Sequence, residues 1–515
     1  MVMETPSPEE NHVSQKYDKV LQQIVDYVFH YKIDNEKAWK RAKLALLDAL
    51  GCAVATAASN EDCRKMIGPV VEGTTVPNGA RVLGSNFELD PTKAAFDNGL
   101  LIRYLDHNDA FIGAEWGHPS DNLGAIISVM DWLSRKGIPQ RPRLSDLSSK
   151  TGIEPSTTPP YTLRILLTAQ IKAYEIQGCF QIRNSFNKVG LDHVILVKLA
   201  STAVVSWLMG LDYAQTLAAV SQVWQDGNPL RTYRQAPNTS PRKGWAAGDA
   251  CMRAVHLALL TRAGQPGAPS VLTAPKWGFY ATTFRGSEFS LPQPFGTWVI
   301  ENVYFKIVAA EAHGITAIYA ALQLCRIFAD SGINPRKDIA RIDIRTHSAA
   351  KTIIDKSGPL NNYADRDHCM QYLVAVALLK GSIITPEDYK DDSPWASDTD
   401  VSELCSKIVL SEDESFTLEY NDPSKRQMTN GLTVTLKNGK VLDEIVVHHI
   451  AGHPLSAETE AEVISKFKRH MSSMFEEFHV RAALEAIEDD DIAVHDLVDL
   501  FVMRLHPRLC KRMKD

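Results

Sequence analysis

Apolar positions recur every three or four residues through most of the first 260 positions, the spacing typical of amphipathic helices. Asp34 or Asn35 can cap one of these helices, and Asp212 can cap another. Alternation of apolar and polar residues over several positions, which would indicate strands, is not seen here. The clearest helices are predicted over residues 92–105, 121–136, 193–210 and 245–262.

The pattern changes after about residue 295. Ile342 and Ile344 alternate with charged residues, as in a strand. Residues 416–420 and 432–436 alternate in the same way, and Asn438–Gly439 follows the second run as a hairpin turn. Helices are predicted between these strands at 312–329 and 367–380, and the helical period returns from Ser456 to Phe478.

These patterns predict a mainly α protein with two domains. Residues 1–297 should form a large all-helical domain, completed by C-terminal helices in residues 455–515. Residues 298–454 should form a smaller α+β domain. Residues 137–160, which are polar and rich in Pro and Ser, are predicted to be a surface loop.

Composition narrows the classes of function. The formal net charge is −7, which disfavours a nucleic-acid-binding protein. No stretch reaches the roughly 20 continuous apolar residues of a membrane helix, so no membrane association is expected. The first twenty residues contain three Glu and no Arg, unlike a secretory or transit peptide. A cytoplasmic location is expected, or a mitochondrial one if a presequence precedes this chain.

The eight cysteines are scattered and form no CxxC pair. This spacing excludes a ferredoxin-like cluster motif and a zinc ribbon. Buried thiols that act as small apolar side chains are the expected role.

Residues 103–122 are the richest in groups that could carry chemistry. Asp106, His107, Asp109 and His118 surround a loop that contains Gly and Pro between two helices. A carboxylate beside a His is the minimum for acid/base catalysis. Helix capping by the aspartates and a divalent metal site are alternatives, although no HxH or HExxH spacing supports a metal.

A basic loop lies at residues 231–245 of this acidic protein. Arg231, Arg234, Arg242 and Lys243 occur within it, and Tyr233 lies between the first two. Arg binds carboxylates through two hydrogen bonds and Lys adds a point charge, so the loop suits an anion with several carboxylates or phosphates. A solvated basic loop is the alternative.

Three further segments carry candidate residues. Lys306, Glu311 and His313 lie near the predicted domain boundary, where ligand clefts often form. His193 precedes a very apolar helix. For both histidines a purely structural role is equally compatible with the sequence. An HHxxxH spacing at residues 448–453 is interpreted as incidental.

Longer motifs lie in these segments and beyond them: DHND followed by EWGHPSDN, then LRTYRQAPN and PRKGWAAGDA, the FK…AEAH segment, and NYADRDHCMQYLVAVALL. Together they resemble the MmgE/PrpD family, over about residues 15–505. The resemblance is closest to the branch of 2-methylcitrate dehydratases. It implies a helical domain with a smaller lid, an active site between them and a homodimer.

The resemblance also implies an activity, which is dehydration of 2-methylcitrate or a longer 2-alkylcitrate without a cofactor, a metal or an iron–sulfur cluster. It assigns catalysis to Asp106, His118 and His313, leaving open which His is the base. It implies binding of the tricarboxylate by a larger set: His107, Asp109, His193, Arg231, Tyr233, Arg234, Lys243 and Lys306.

The chain departs from the family pattern at Ala110, where many members have Thr. A hydroxyl contact to substrate would be missing there, which leaves the length of the alkyl chain open. A cis-aconitate decarboxylase and a non-catalytic member of the fold are the alternative functions.

Overall fold

The computed structural model describes residues 16–136, 161–225, 227–235, 237–422 and 424–503. The predicted loop at 137–160 lies outside the described residues. Within them the chain forms twenty α-helices, listed here in order: α1 Lys19–His30, α2 Glu36–Ser59, α3 Glu61–Arg64, α4 Pro91–Arg103, α5 Leu123–Lys136, α6 Leu163–Arg183, α7 Val194–Leu208, α8 Tyr213–Gln222, α9 Arg242–Arg262, α10 Phe279–Thr282, α11 Trp298–Glu301, α12 Ala312–Ser331, α13 Ser348–Ile353, α14 Tyr363–Arg366, α15 Met370–Lys380, α16 Thr399–Ser406, α17 Glu414–Asn421, α18 Thr459–Met471, α19 Glu477–Glu488 and α20 Val494–Asp499.

The helix predictions for the first 260 residues are confirmed, with ends shifted by a few positions. Asn35 caps α2 by accepting hydrogen bonds from two backbone N–H groups of its first turn. Asp212 caps α8 in a reciprocal capping box with Gln215. A short antiparallel pair, β1 Ala80–Arg81 and β2 Glu88–Leu89, was not predicted, because two-residue strands leave no periodic signal.

Helices α4, α5 and α9 pack unusually closely at three glycines. A Cβ built on Gly124 would lie 2.5 Å from the Cα of Gly99, and one on Gly248 would lie 2.5 Å from the carbonyl oxygen of Phe96. Only glycine permits such close backbone approach. The three helices consequently hold the end of α4, where the 103–122 segment begins, in a fixed position.

The buried apolar side chains form two clusters. The larger contains the helices up to α11 together with α18–α20, so that the C-terminal helices pack against the first ones. Phe467 of α18, for example, lies 3.2 Å from the Cβ position of Gly51 in α2. The smaller cluster contains α12 to α17 and a sheet. The predicted division between residues 297 and 298 stays a prediction.

That sheet has four strands in the order β4-β3-β5-β6: β3 Ile339–Thr346, β4 Ile408–Glu412, β5 Asn430–Leu436 and β6 Ile445–Val447. β3 pairs parallel with β4 and antiparallel with β5, and β5 pairs antiparallel with β6. The turn at Asn438–Gly439 is confirmed, with Gly439 at φ 84°. The fold is therefore mainly α with one small mixed sheet, as predicted.

The strand predicted at Phe416, Leu418 and Tyr420 is wrong, because these residues lie in α17. Phe416 and Tyr420 are buried while Leu418 is 65% exposed. A spacing of four residues fits the period of a helix and that of a strand, so this short run could not distinguish a helix from a strand. Asp413 stabilises the helix, because its side chain accepts hydrogen bonds from the N–H groups of Ser415 and Phe416 in the first turn.

Among the described residues, two helices, α2 and α12, are long and apolar enough to cross a membrane by length and composition alone. Their apolar windows are 83% and 61% buried inside the protein. Such burial is the ordinary environment of core helices.

Two extended segments meet where the clusters join. Ala110 and Tyr304 exchange both backbone hydrogen bonds at 2.8 Å. The N–H of Phe305 donates to the carbonyl of Gly452, and a Cβ at Gly452 would collide with the Phe305 carbonyl. This pairing places the segment after α4 beside the segment that carries Lys306.

Candidate active site

A cleft of about 230 Å³ opens where these segments meet. Of the residues that the structure describes, six cationic side chains line it against three acidic ones, so it is suited to an anionic ligand. The lining residues come from both clusters: Arg103, Asp106, Trp116, His118, Asn187, His193, Arg231, Arg234, Gln235, Thr239, Lys243, Lys306, Glu311, Thr352, Ile353, Asp355, Lys356 and His368.

Asp106 lies at the centre of this arrangement. Its backbone has φ 52°, a left-handed conformation that non-glycine residues rarely adopt. Its carboxylate contacts the Arg103 guanidinium, and Oδ1 lies 3.0 Å from the Lys306 ammonium. Burial opposes its ionisation, but Arg103 and Lys306 outweigh burial and hold the pKa of Asp106 well below its usual range.

His118 has a defined tautomer. Its Nδ1 lies 2.6 Å from the backbone carbonyl of Asp109. A carbonyl oxygen only accepts, so Nδ1 carries the proton and Nε2 keeps a free lone pair. That Nε2 lies 3.7 Å from Asp106 Oδ1. Burial, followed by Arg103 and Lys306, lowers the pKa of His118 well below its ordinary value, so the imidazole is neutral and can accept a proton.

His193 brings a second imidazole to the cleft, with its ring centre 5.7 Å from that of His118. Its Nδ1 lies 3.4 Å from Asp192 Oδ1, and its Nε2 has no hydrogen-bond partner among the described residues. Burial lowers the pKa of His193 well below its ordinary value, although Asp192 acts in the opposite direction.

The basic loop supplies part of the cationic wall. Arg231 and Arg234 share Asp192: the Arg234 guanidinium contacts it directly, and Arg231 Nη1 lies 3.6 Å away. Lys243 Nζ lies 2.7 Å from both carboxylate oxygens of Asp367. Each cation is therefore anchored by a buried carboxylate, which leaves its remaining donors available at fixed positions.

His313 lies behind the cleft wall. Its side chain is fully buried, with Nδ1 2.8 Å from Glu311 Oε1 and Nε2 3.2 Å from the Tyr420 hydroxyl. The residue that reaches the cleft is Glu311. Burial would raise the pKa of Glu311, but His313 holds it at about 2. The position of His313 behind Glu311 favours a role for His313 in orienting Glu311.

Three of the predicted substrate-binding residues are buried outside the cleft lining. The Asp109 carboxylate accepts hydrogen bonds from the N–H and hydroxyl of Ser120, which fixes the loop that carries His118. The His107 ring packs 5.0 Å from that of His470. The Tyr233 ring packs beneath Arg234 and Arg242. Their contact with substrate stays a prediction.

The sequence interpretation missed three site residues. Arg103 ends α4 and contacts Asp106, while Asp367 and His368 follow α14. His368 Nε2 lies 3.9 Å from Asp106 Oδ2, and its Nδ1 lies 2.7 Å from Asp367. The Asp-His pair within NYADRDHC was the available signal, but only the fold brings it to Asp106.

Asp106, Asp367 and His368 lie close enough together to hold a metal ion, the one such group among the described residues. The ammonium groups of Lys306 and Lys243 already contact the two carboxylates at 3.0 and 2.7 Å. A divalent cation would face these positive charges, which oppose its binding at this group.

Comparison with known proteins agrees with this architecture. Residues 22–292 match the MmgE/PrpD N-terminal domain and residues 308–491 match the C-terminal domain. The chain is 52% identical to a 2-methylcitrate dehydratase-like protein of Aspergillus oryzae, over 97% of this chain and 98% of that one. It is 48% identical to an alkylcitrate dehydratase of a fungal species, over 96% of each. It is 46% identical to the 2-methylcitrate dehydratase of Escherichia coli, over 96% and 99%. The chain therefore belongs to the MmgE/PrpD family.

Proposed function

We propose that this protein is a hydro-lyase that dehydrates 2-methylcitrate, or a longer 2-alkylcitrate, to the corresponding cis-aconitate derivative. The observation that carries the proposal is the neutral His118 imidazole beside Asp106, in a cleft whose charged side chains are mainly cationic. The names of the relatives at 46–52% identity support the same substrates.

The reaction needs a base, an acid and cationic groups. The C–H bond next to a carboxylate breaks, its electron pair forms the C=C bond, and the hydroxyl on the neighbouring carbon leaves with a proton as water. Because negative charge builds on the carboxylate as the proton leaves, nearby cations lower the barrier. Lys306, Lys243 and Arg231 line the cleft and can hold this charge.

His118 Nε2 takes the proton in this proposal, because its lone pair faces the cleft. His193 is the nearest second imidazole, and Asp192 would stabilise its protonated form, so it donates the proton to the leaving hydroxyl. Binding of a tricarboxylate adds negative charge and raises the pKa of His193 toward neutrality. Asp106 keeps Lys306 and Arg103 in place beside the reacting atoms.

The alkyl substituent is proposed to lie against Trp116 and Ile353, the large apolar side chains of the cleft lining. Ala110 is buried in the backbone pairing with Tyr304 and does not line the cleft. The substitution of Ala for Thr there therefore gives no direct measure of chain length.

The test is incubation of the purified protein with 2-methylcitrate and 2-alkylcitrates of increasing length, followed by absorbance of the conjugated product. The unsaturated product is expected with at least one member of the series. Release of carbon dioxide from cis-aconitate would indicate the decarboxylase instead. Tricarboxylate binding without turnover on any member would indicate a non-catalytic protein.

The assembly and the location are also part of the proposal. A homodimer is expected from the family resemblance, and light scattering of the purified protein measures it. A cytoplasmic or mitochondrial location is expected, which fractionation of the producing cells would distinguish.

A further inference from the structure

A buried lysine of the C-terminal helices reaches the backbone beside the cleft. Lys466 lies on α18, and its side chain is 1% exposed. Its Nζ lies 2.7 Å from Asp48 Oδ1, 2.5 Å from the carbonyl of His107 and 2.7 Å from the carbonyl of Lys306. An ammonium has three protons, so these three acceptors use all of them.

The two carbonyls belong to the segments that carry Asp106 and Lys306. Asp106 has a left-handed backbone, and such strain persists only where the surroundings fix it. The Asp106 carbonyl accepts from Lys306 Nζ at 2.9 Å, and the next carbonyl, that of His107, accepts from Lys466. Two lysines thus hold consecutive carbonyls of this turn.

The contacts close into a ring. Lys466 joins the backbone of His107 to the backbone of Lys306, and the Lys306 side chain returns to both the carbonyl and the carboxylate of Asp106. Displacement of Lys466 would therefore change the distance between the Asp106 carboxylate and the Lys306 ammonium. Asp48, fully buried on α2, compensates the charge of Lys466.

We infer that Lys466 is a positioning residue, through which α18 and α2 fix the distance between Asp106 and Lys306. The inference rests on the proposed function only for its kinetic consequence. A misplacement of about 1 Å can lower turnover by about 100-fold, so removal of the Lys466 ammonium is expected to reduce kcat by about 10- to 100-fold.

The variant that tests this is Asp48→Asn combined with Lys466→Met, which removes both charges and leaves no unpaired buried ion. Replacement of a buried ion pair by neutral groups is often tolerated by the fold. The matched control is Lys93→Met with Asp97→Asn, a Lys–Asp pair on α4 with a partly buried lysine that also donates to a backbone carbonyl. That pair does not line the cleft. Lys466→Gln, which keeps two N–H donors, is the substitute if the double variant does not fold.

Two readouts separate positioning from general destabilisation. With Lys306 displaced, the pKa values of Asp106 and His118 rise, so the acid limb of kcat/KM should move to higher pH. The control should keep the wild-type profile. In a crystal structure of the variant, the Lys306 Nζ–Asp106 Oδ1 distance should exceed the 3.0 Å of the native protein.

A variant with wild-type kcat and an unchanged acid limb would overturn the inference while leaving the proposed function intact. If the wild type itself has no activity on alkylcitrates, the proposed function fails. The crystal structure of the variant is then the only test of the positioning role of Lys466. An unchanged distance between Lys306 and Asp106 in the variant then rejects the positioning role.

Discussion

Arg103 should set the pH dependence of catalysis. Its guanidinium disfavours a protonated His118 and favours an ionised Asp106, so Arg103→Met should raise both pKa values. The acid limb of kcat/KM should then move to higher pH, because the base is lost at a less acidic pH. Pre-steady-state or steady-state rates from about pH 5 to 9 measure this. Arg103→Lys, which keeps the charge, should shift the limb less, and a shift toward lower pH would contradict the electrostatic role.

Some site residues could be identified from the sequence because they lie within recognisable motifs. Asp106, His118, Lys243 and Lys306 were all selected in this way, and all line the cleft. Asp367 and His368 were missed because only the fold brings them to Asp106. Arg103 was missed although it lies only three residues before Asp106 in the chain. The left-handed backbone of Asp106, which no local pattern predicts, turns the chain so that Asp106 lines the cleft and His107 does not.

Glu311 and His313 should behave as one unit. If His313 acts only by orienting Glu311, then Glu311→Gln and His313→Gln should each lower kcat by about 10- to 100-fold. The double variant should lose little more than either single one, because the same interaction is removed in each case. Turnover of the three variants measures this coupling. A His313→Gln defect much larger than that of Glu311→Gln would instead indicate direct proton transfer by His313.

The elements were predicted best where their periodic pattern is long. The long helices of the large cluster and the hairpin at Asn438–Gly439 follow from period and turn residues alone. The one strand predicted wrongly lies in α17. It is a short run whose buried residues are four positions apart, a spacing that fits both a helix and a strand. The close contact of α4, α5 and α9 depends on glycines whose neighbours are distant in the chain.

Gly248 on α9 should be intolerant of a side chain. A Cβ there would lie 2.5 Å from the carbonyl oxygen of Phe96 and 3.0 Å from the N of Leu100, so α4 and α9 must move apart. Gly248→Ala is expected to lower the free energy of unfolding by about 1–3 kcal/mol. Urea denaturation measures this, with His256→Ala, an exposed site on the same helix, expected within about 0.5 kcal/mol of wild type. Equal stability of the two variants would refute the close contact.

The distribution of charge over the molecule and the path of its chain both fit the binding of an anionic substrate beside Asp106. The chain carries a net charge of −7, yet the cleft is lined by twice as many cations as acids. The chain returns through α18 to the first helices, so the N- and C-terminal parts both support Asp106. The sequence predicted a cationic loop and a terminal helix. Only the folded structure brings Lys243 of the loop into the cleft beside Asp106, and Lys466 of the helix to the carbonyl of His107.

His118 is proposed to be the base of a 2-alkylcitrate dehydratase. The decisive measurement compares turnover of wild type and His118→Gln on 2-methylcitrate, with tricarboxylate protection in thermal unfolding as the control for binding. The wild type should form the unsaturated product, and His118→Gln should lose about 100- to 10,000-fold in kcat while still binding. Turnover by His118→Gln within about 3-fold of the wild type would show that His118 is not the base.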